Sequence, residues 1–200
     1  MVQQATKLTF EEFLELRPED GRYELVNGEI VRILATRQHD NVADFIMFAL
    51  NDENRRLKLN YKVSGRLVIA TRTSGNTELG RHPDVGVVDQ TIYDSNLLAY
   101  SALREPLQLA VEVVSTNWED DYVDKLDEYQ RMGIQEFWIV DYLAIASRAY
   151  LGNPKEPTVF VYQLIDGTYQ VSSFTGSSRI VSPTFSKLEL TVAQIVASGG

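Results

Sequence analysis

The sequence predicts an α/β protein: a central mixed β-sheet flanked by helices, with additional antiparallel strands. Three observations point there. Residues 38–57 hold neither proline nor glycine, and Val42, Phe45, Ile46, Ala49 and Leu50 recur as one helical stripe. Short apolar runs at 85–88, 107–114 and 137–141 read as strands, with a helical stretch at 116–132 between the last two. Beyond residue 146, the runs 146–151, 159–165 and 169–174 read as a meander, with Asp166-Gly167 as one turn.

From the N-terminus, Thr9 opens a short helix to Leu16, and Glu12 stands three residues on, as a capping box requires. Pro18 to Gly21 ends it. Asn27-Gly28 lies between two apolar-rich runs in 22–32, a strong two-residue hairpin signal because both residues tolerate positive φ. The long helix follows. Residues 61–70 read as one strand and 71–81 as a polar loop with two glycines. Residues 90–105 give no clear pattern and read as a connecting excursion. Thr116 and Glu119 suggest a second capping box for the helix that Gly133 ends. Residues 190–196 read as a terminal helix. No repeat or low-complexity segment is visible.

Composition narrows the function. A hydrophobic share of 44% in 200 residues suffices for a core. There is no cysteine, which excludes a disulfide framework and a thiolate metal site. Residues 1–7 carry no apolar signal segment, and no run approaches the roughly 20 apolar residues that span a bilayer. The expectation is a soluble, cytoplasmic protein. Net charge is −9 and the pI about 4.8, so bulk electrostatics oppose nucleic-acid binding. A polyanion would need a local basic cleft or a metal-assisted phosphate site. Phosphate-binding glycine loops and dinucleotide fingerprints are absent.

The chemistry centres on Glu112. Strand alternation turns Leu107, Leu109, Val111 and Val113 to one face and Gln108, Ala110, Glu112 and Val114 to the other. A carboxylate in such a strand must pair, bind metal or shift its pKa. Upstream, Pro83 belongs at a strand start and so places Asp84 where a sheet begins. Two carboxylates on neighbouring strands can converge on one hard cation such as Mg²⁺. The structural alternatives are a turn or cap role for Asp84, and for Glu112 a buried ion pair with Arg66 or Lys125. Helical spacing sets Lys125 beside Tyr122 and Tyr129, although Asp121 four residues earlier also allows an ordinary surface pair. Neither His39 nor His82 has a visible triad partner, and His82 reads as structural. Glu29 reads as solvent-facing. Arg55, Arg56, Arg66, Arg72 and Arg81 form either a cationic rim for phosphates or a solvated face.

Pro83-Asp84, then Glu112-Val113-Val114, then a helix resembles the PD-(D/E)XK nuclease superfamily. That pattern places a lysine two residues after the Glu, where this chain has Val114. Lys125 in Asp124-Lys-Leu-Asp-Glu-Tyr129 resembles the variant in which the lysine has moved to the following helix. The ordered set of 22–31, His39, Pro83-Asp84, 111–115, Lys125, Tyr129 and 133–141 is similar to the bacterial putative restriction-endonuclease domain family over residues 8–195. The resemblance implies a single restriction-endonuclease-like domain over 1–200 that hydrolyses phosphodiester bonds of DNA with Mg²⁺ or Mn²⁺. It implies Asp84, Glu112 and the Val113 carbonyl as metal ligands, with Lys125 assisting the attacking water. Glu24 would hold a second ion or a water, and Tyr129 would bond phosphate or orient Lys125. His39 would touch substrate. A homodimer is implied as well. Two other classes stay open: an inactive nuclease-fold module binding nucleic acid or protein, and a hydrolase of small phosphoesters.

Overall fold

The computed structural model describes residues 7–200. The expected lack of a signal segment concerns residues 1–6 as well, which lie outside the described part. Helix α1 (Phe10–Leu16) starts from the expected box: Thr9 N–H donates to Glu12 Oε2 at 2.8 Å, and Glu12 N–H donates to Thr9 Oγ1 at 3.2 Å. Strands β1 (Arg22–Val26) and β2 (Glu29–Ile33) form the hairpin, with Asn27 and Gly28 at φ 54° and 85°. Helix α2 (Arg37–Leu57) follows, capped by Thr36. Then come β3 (Tyr61–Ser64), β4 (Val68–Arg72), β5 (Glu78–Arg81), β6 (Val85–Asp89), α3 (Gln90–Asp94), β7 (Ala102–Leu103) and β8 (Leu109–Val113). A π-helical turn over Asp120–Asp124 runs into α4 (Lys125–Met132), which Gly133 ends at φ 85°. The chain closes with β9 (Glu136–Asp141), α5 (Arg148–Leu151), β10 (Thr158–Ile165), β11 (Thr168–Thr175) and α6 (Val192–Ser198).

The strands build two sheets, where the sequence suggested one. Six run in the order β11-β10-β9-β8-β6-β3 and five in the order β2-β1-β5-β4-β7. Each is mixed: β8 and β9 are parallel, as are β4 and β7, and the other pairings are antiparallel. Val42, Ile46 and Leu50 of α2 pack with α6 on one face of the larger sheet. Each such burial contributes roughly 1.5–3 kcal/mol. Tyr122, Tyr129 and Leu151 pack on the opposite face with Phe137, Ile139 and Phe160. In the smaller sheet, Leu25 and Val68 pack with Phe10 and Phe13 of α1.

Several sequence expectations need correction. The run 61–70 breaks at Gly65: β3 joins the larger sheet and β4 the smaller, so one apolar stretch serves two sheets. The stretch 71–81 is no loop, because its end forms β5 and pairs with β4. The excursion at 90–105 contains α3 and β7. Residues 148–151 form one helical turn, which brings the Tyr150 ring to 4.5 Å from that of Tyr122. Thr116 makes no cap. Asp120 N–H instead donates to the Asn117 carbonyl, and the helix enters through its π turn. Strand β8 is packed on both faces: Ala110 joins one core and Leu109, Val111 and Val113 the other, so Glu112 is buried outright.

Among the described residues no helix is long and apolar enough to cross a membrane. Glu29 is exposed, as expected. The segment between β5 and β6, holding His82, Pro83 and Asp84, carries the chain from one sheet to the other. That crossing positions the site. A Cβ added at Gly80, just before it, would meet Phe13, Leu25 and Phe10 at 3.1 to 3.2 Å. Gly80→Ala is expected to destabilise the fold by about 1–3 kcal/mol through overpacking, measured as a lower urea midpoint. An unchanged midpoint would contradict this close docking of α1.

Candidate active site

Asp84 lies just ahead of β6, whose Val85 pairs with Val111 on β8. This register sets Asp84 beside the end of β8. Its Oδ2 accepts the Val113 N–H at 2.7 Å, and its Oδ1 accepts Arg22 Nη1 at 2.8 Å. His39, from the first turn of α2, donates through Nε2 to the Val113 carbonyl at 2.9 Å and stands 3.3 Å from Asp84 Oδ2. That contact fixes the proton on Nε2, because a carbonyl can only accept. The sequence placed His39 against substrate. It lines the cleft but is 7% exposed and holds the two oxygens that the resemblance implies as ligands.

Glu112 meets α4. Spacing i, i+3, i+4 puts Lys125, Glu128 and Tyr129 on one helix face. Lys125 Nζ donates to Glu112 Oε2 at 2.8 Å, and the Tyr129 hydroxyl donates to Oε1 at 2.5 Å. Tyr129 is fully buried, so it braces Glu112 and is not placed to reach a phosphate. The pair of Lys125 with Asp121 exists at 3.1 Å, with side chains only 11% and 8% exposed, so it is no surface pair. Glu24, facing in from β1, lies 4.0 Å from Lys125. It accepts Arg81 Nη1 at 3.0 Å and the His82 N–H at 3.1 Å. Arg81 turns its other nitrogens to Glu128 at 2.8 and 2.6 Å, and Thr71 donates to the same carboxylate.

So the structure brings Asp84, Glu112, the Val113 carbonyl, Lys125, Tyr129, Glu24 and His39 together. Reading the sequence missed Arg22, Arg81, Asp121 and Glu128 as parts of the cluster. One signal was available: Arg22 and Glu24 alternate on one face of β1. The cationic rim does not form. Arg55 and Arg56 pair with Asp52 and Glu53 within α2, Arg72 pairs with Glu78, and Arg81 is buried. Arg66 makes no ion pair among the described residues. His82 packs against the Gly65 carbonyl at 3.3 Å, in keeping with a structural role.

Five carboxylates (Glu24, Asp84, Glu112, Asp121, Glu128) face three permanent cations (Arg22, Arg81, Lys125). This excess shows in the proton affinities. Burial pushes Glu112 up to about 8, aided by Asp84, Asp121 and Glu24 and opposed by Lys125. Burial would raise Asp84 too, but His39, Arg22 and Lys125 hold it below the usual carboxylate range. Burial works against a charged Lys125, and Asp121, Glu112 and Glu24 outweigh it, holding the ammonium well above its ordinary value. A cleft of about 480 Å³ opens onto Glu24, His39 and Lys125, walled by β2, residues 114–117 and residues 142–145.

Two predictions follow from this balance. Arg81→Met leaves Glu24 and Glu128 buried without their cation and is expected to destabilise the fold by about 3–5 kcal/mol. A loss below about 1 kcal/mol in urea unfolding would show the network to be slack. For metal-free protein, the folded state keeps a proton on Glu112 up to about 8, whereas the unfolded chain releases it near 4.5. Burial lowers His39, but the bond and charge of Asp84 together with the Val113 carbonyl leave it raised as well, and His82, pushed down mainly by burial to about 4, titrates lower. The folded state therefore binds more protons, and stability falls as pH rises from 6.5 to 8.5. Glu112→Gln is expected to flatten that slope, leaving the His39 share. An equal slope in the variant would refute the assignment.

The family model described as "putative restriction endonuclease" (Uma2) matches residues 10–193. A solved structure described as a putative nuclease belonging to DUF820 from Anabaena variabilis aligns with a TM-score of 0.71 at 18% identity. It covers 96% of this chain and 99% of that one, and shows a shared fold. No curated protein matches the chain. With nearly its whole length matched, the chain belongs to the putative restriction endonuclease family.

Proposed function

We propose that this protein is a Mg²⁺- or Mn²⁺-dependent endonuclease that hydrolyses phosphodiester bonds of DNA. The observation that carries the reading is a helix-borne Lys125 ammonium 2.8 Å from Glu112 and 4.0 Å from Glu24, at the foot of an open cleft beside Asp84. The donor chemistry fits a hard ion: two carboxylates and a backbone carbonyl, all oxygen. His39 Nε2 stands 2.9 Å from the Val113 oxygen and 3.3 Å from Asp84 Oδ2, so these two oxygens lie close together around one imidazole nitrogen. The unbalanced negative charge also suits a divalent cation. Among the described residues no three His, Cys, Asp or Glu side chains surround one point. Asp84, Glu112 and the Val113 carbonyl would therefore hold the ion with water, as Mg²⁺ sites commonly do. Once bound, such an ion supplies Lewis-acid stabilisation of the phosphate and a more acidic water.

The chain's own groups do the rest. Lys125, kept protonated by three carboxylates, acts as a donor that orients the attacking water and offsets charge on the phosphate. It is too basic to take the proton. Glu24, which Lys125 and Arg81 keep ionised against the cost of its burial, is the neighbouring acceptor. Tyr129 fixes the Glu112 carboxylate, and His39 fixes the Asp84 and Val113 oxygens. One observation favours the inactive module instead: all four carboxylate oxygens of Asp84 and Glu112 already accept hydrogen bonds.

The test is cutting of supercoiled plasmid and of single-stranded DNA with Mg²⁺, Mn²⁺ or chelator. Metal-dependent cutting is expected, abolished in Asp84→Ala and lowered roughly 10²–10³-fold in Lys125→Ala. Cutting that persists in Asp84→Ala would sink the site assignment. No cutting by wild type, together with no heat of Mg²⁺ binding by calorimetry, would favour the inactive module.

A further inference from the structure

We infer that the cleft takes an unpaired nucleotide, its base lying on an apolar wall beside the reacting phosphate, so that the substrate is single-stranded DNA. This inference rests on the nuclease reading and deepens it.

The wall is built by strand register. Val31 of β2 pairs directly with Glu24 of β1, and Ile33 pairs with Arg22. Paired residues share a sheet face, so the face that carries Glu24 and Arg22 continues into two aliphatic side chains. Leu34 extends it, and Leu143 and Ile145 also line the cleft. Leu34 is 81% exposed, Leu143 48% and Val31 40%. Scattered surface leucines need no explanation. Three exposed aliphatic side chains in one cleft, next to the lysine of the site, do.

Charge selects what this wall can hold. Proteins that hold duplex DNA track its phosphates with lysine and arginine. Here the lining contributes Glu24, Asp120, Asp121 and Asp124 against Arg32, Arg81 and Lys125. Arg81 and Lys125 are already tied to carboxylates, which leaves Arg32 as the cleft cation without an ion pair among the described residues. With so few phosphate contacts, binding must draw on the base faces. In a duplex those faces are stacked and hidden. In an unpaired strand they are open to apolar side chains. A volume of about 480 Å³ falls in the range of sites for one small molecule, which suits a single nucleotide.

The experiment uses a labelled 12-nucleotide DNA strand, the same strand annealed to its complement, and the same strand with stable tetrahydrofuran spacers in place of the central bases. Binding is read by fluorescence anisotropy with Ca²⁺ and cutting with Mg²⁺, for wild type, Leu34→Ser, Leu143→Ser and Asp84→Ala. Wild type is expected to bind and cut the intact strand about tenfold better than either the duplex or the spacer strand. In Leu34→Ser and Leu143→Ser, the advantage of intact over spacer strand should shrink toward parity. Equal cutting of strand and duplex, lost in Asp84→Ala but indifferent to Leu34 and Leu143, would overturn the inference and leave the nuclease reading standing. If wild type cuts no DNA at all, the nuclease reading fails and this inference with it.

Discussion

Two sheets meet in this protein, and buried charge fixes how they meet. The chain leaves the smaller sheet at Arg81 and enters the larger at Val85, with Asp84 between. Carboxylates from both sheets and from α4 converge on that crossing. Each needs a cation at fixed distance, because an unpaired buried charge costs several kcal/mol. Arg81 answers for Glu24 and Glu128, tying β1 to α4. Arg22 answers for Asp84, tying β1 to the crossing itself. The local arrangement follows: a tyrosine that bonds a carboxylate, a threonine that bonds Glu128 and a histidine that bonds a backbone carbonyl. Such a network adds little net stability compared with apolar packing, but it specifies one geometry.

How far the sequence reached depends on the range of the interaction. The Thr9–Glu12 box, the Asn27-Gly28 turn and the Asp166-Gly167 turn are fixed by neighbours three or four residues apart, and all were legible. The split of 61–70 was not. Ser64-Gly65-Arg66 interrupts its apolar pattern, but only pairing with distant β6 and β5 assigns its halves to different sheets. The same holds at the site. Pro83-Asp84, Glu112 and Lys125 were readable from local pattern and resemblance. Arg22 with Asp84, Arg81 with Glu24 and Arg81 with Glu128 lie 62, 57 and 47 residues apart. Nothing local distinguishes Arg81 from the solvated arginines near it.

On the proposed reading, the place of the lysine on the helix has a structural reason. Val114 is 1% exposed and belongs to the apolar cluster of Ala110, Phe137 and Ile139. A lysine there would have to leave that core to reach Glu112. The following helix, which packs on that same face, supplies the cation instead. Lys125 lies where the π turn ends and α4 begins, so its stem crosses apolar surface while its ammonium reaches Glu112 and Asp121. Tyr129, one turn on, occupies the other oxygen of the same carboxylate. Strand and helix together reproduce the acid–cation pair that the strand alone would hold in the common pattern.

Under the proposed nuclease reading, this arrangement would also reconcile an acidic chain with a polyanionic substrate. A charge of −9 spread over the surface acts through water and salt, where fields fade within about 10 Å at ordinary ionic strength. The site's charges act at contact distance and are largely shielded from solvent, so they are screened far less. Repulsion at the surface therefore weakens long-range capture without weakening the ammonium already held beside Glu112. What the surface gives up in steering must be recovered at the cleft, and the side chains available there are aliphatic. Under that proposal, an acidic surface, a largely shielded lysine and an apolar wall are parts of one solution, in which recognition shifts from phosphates to bases.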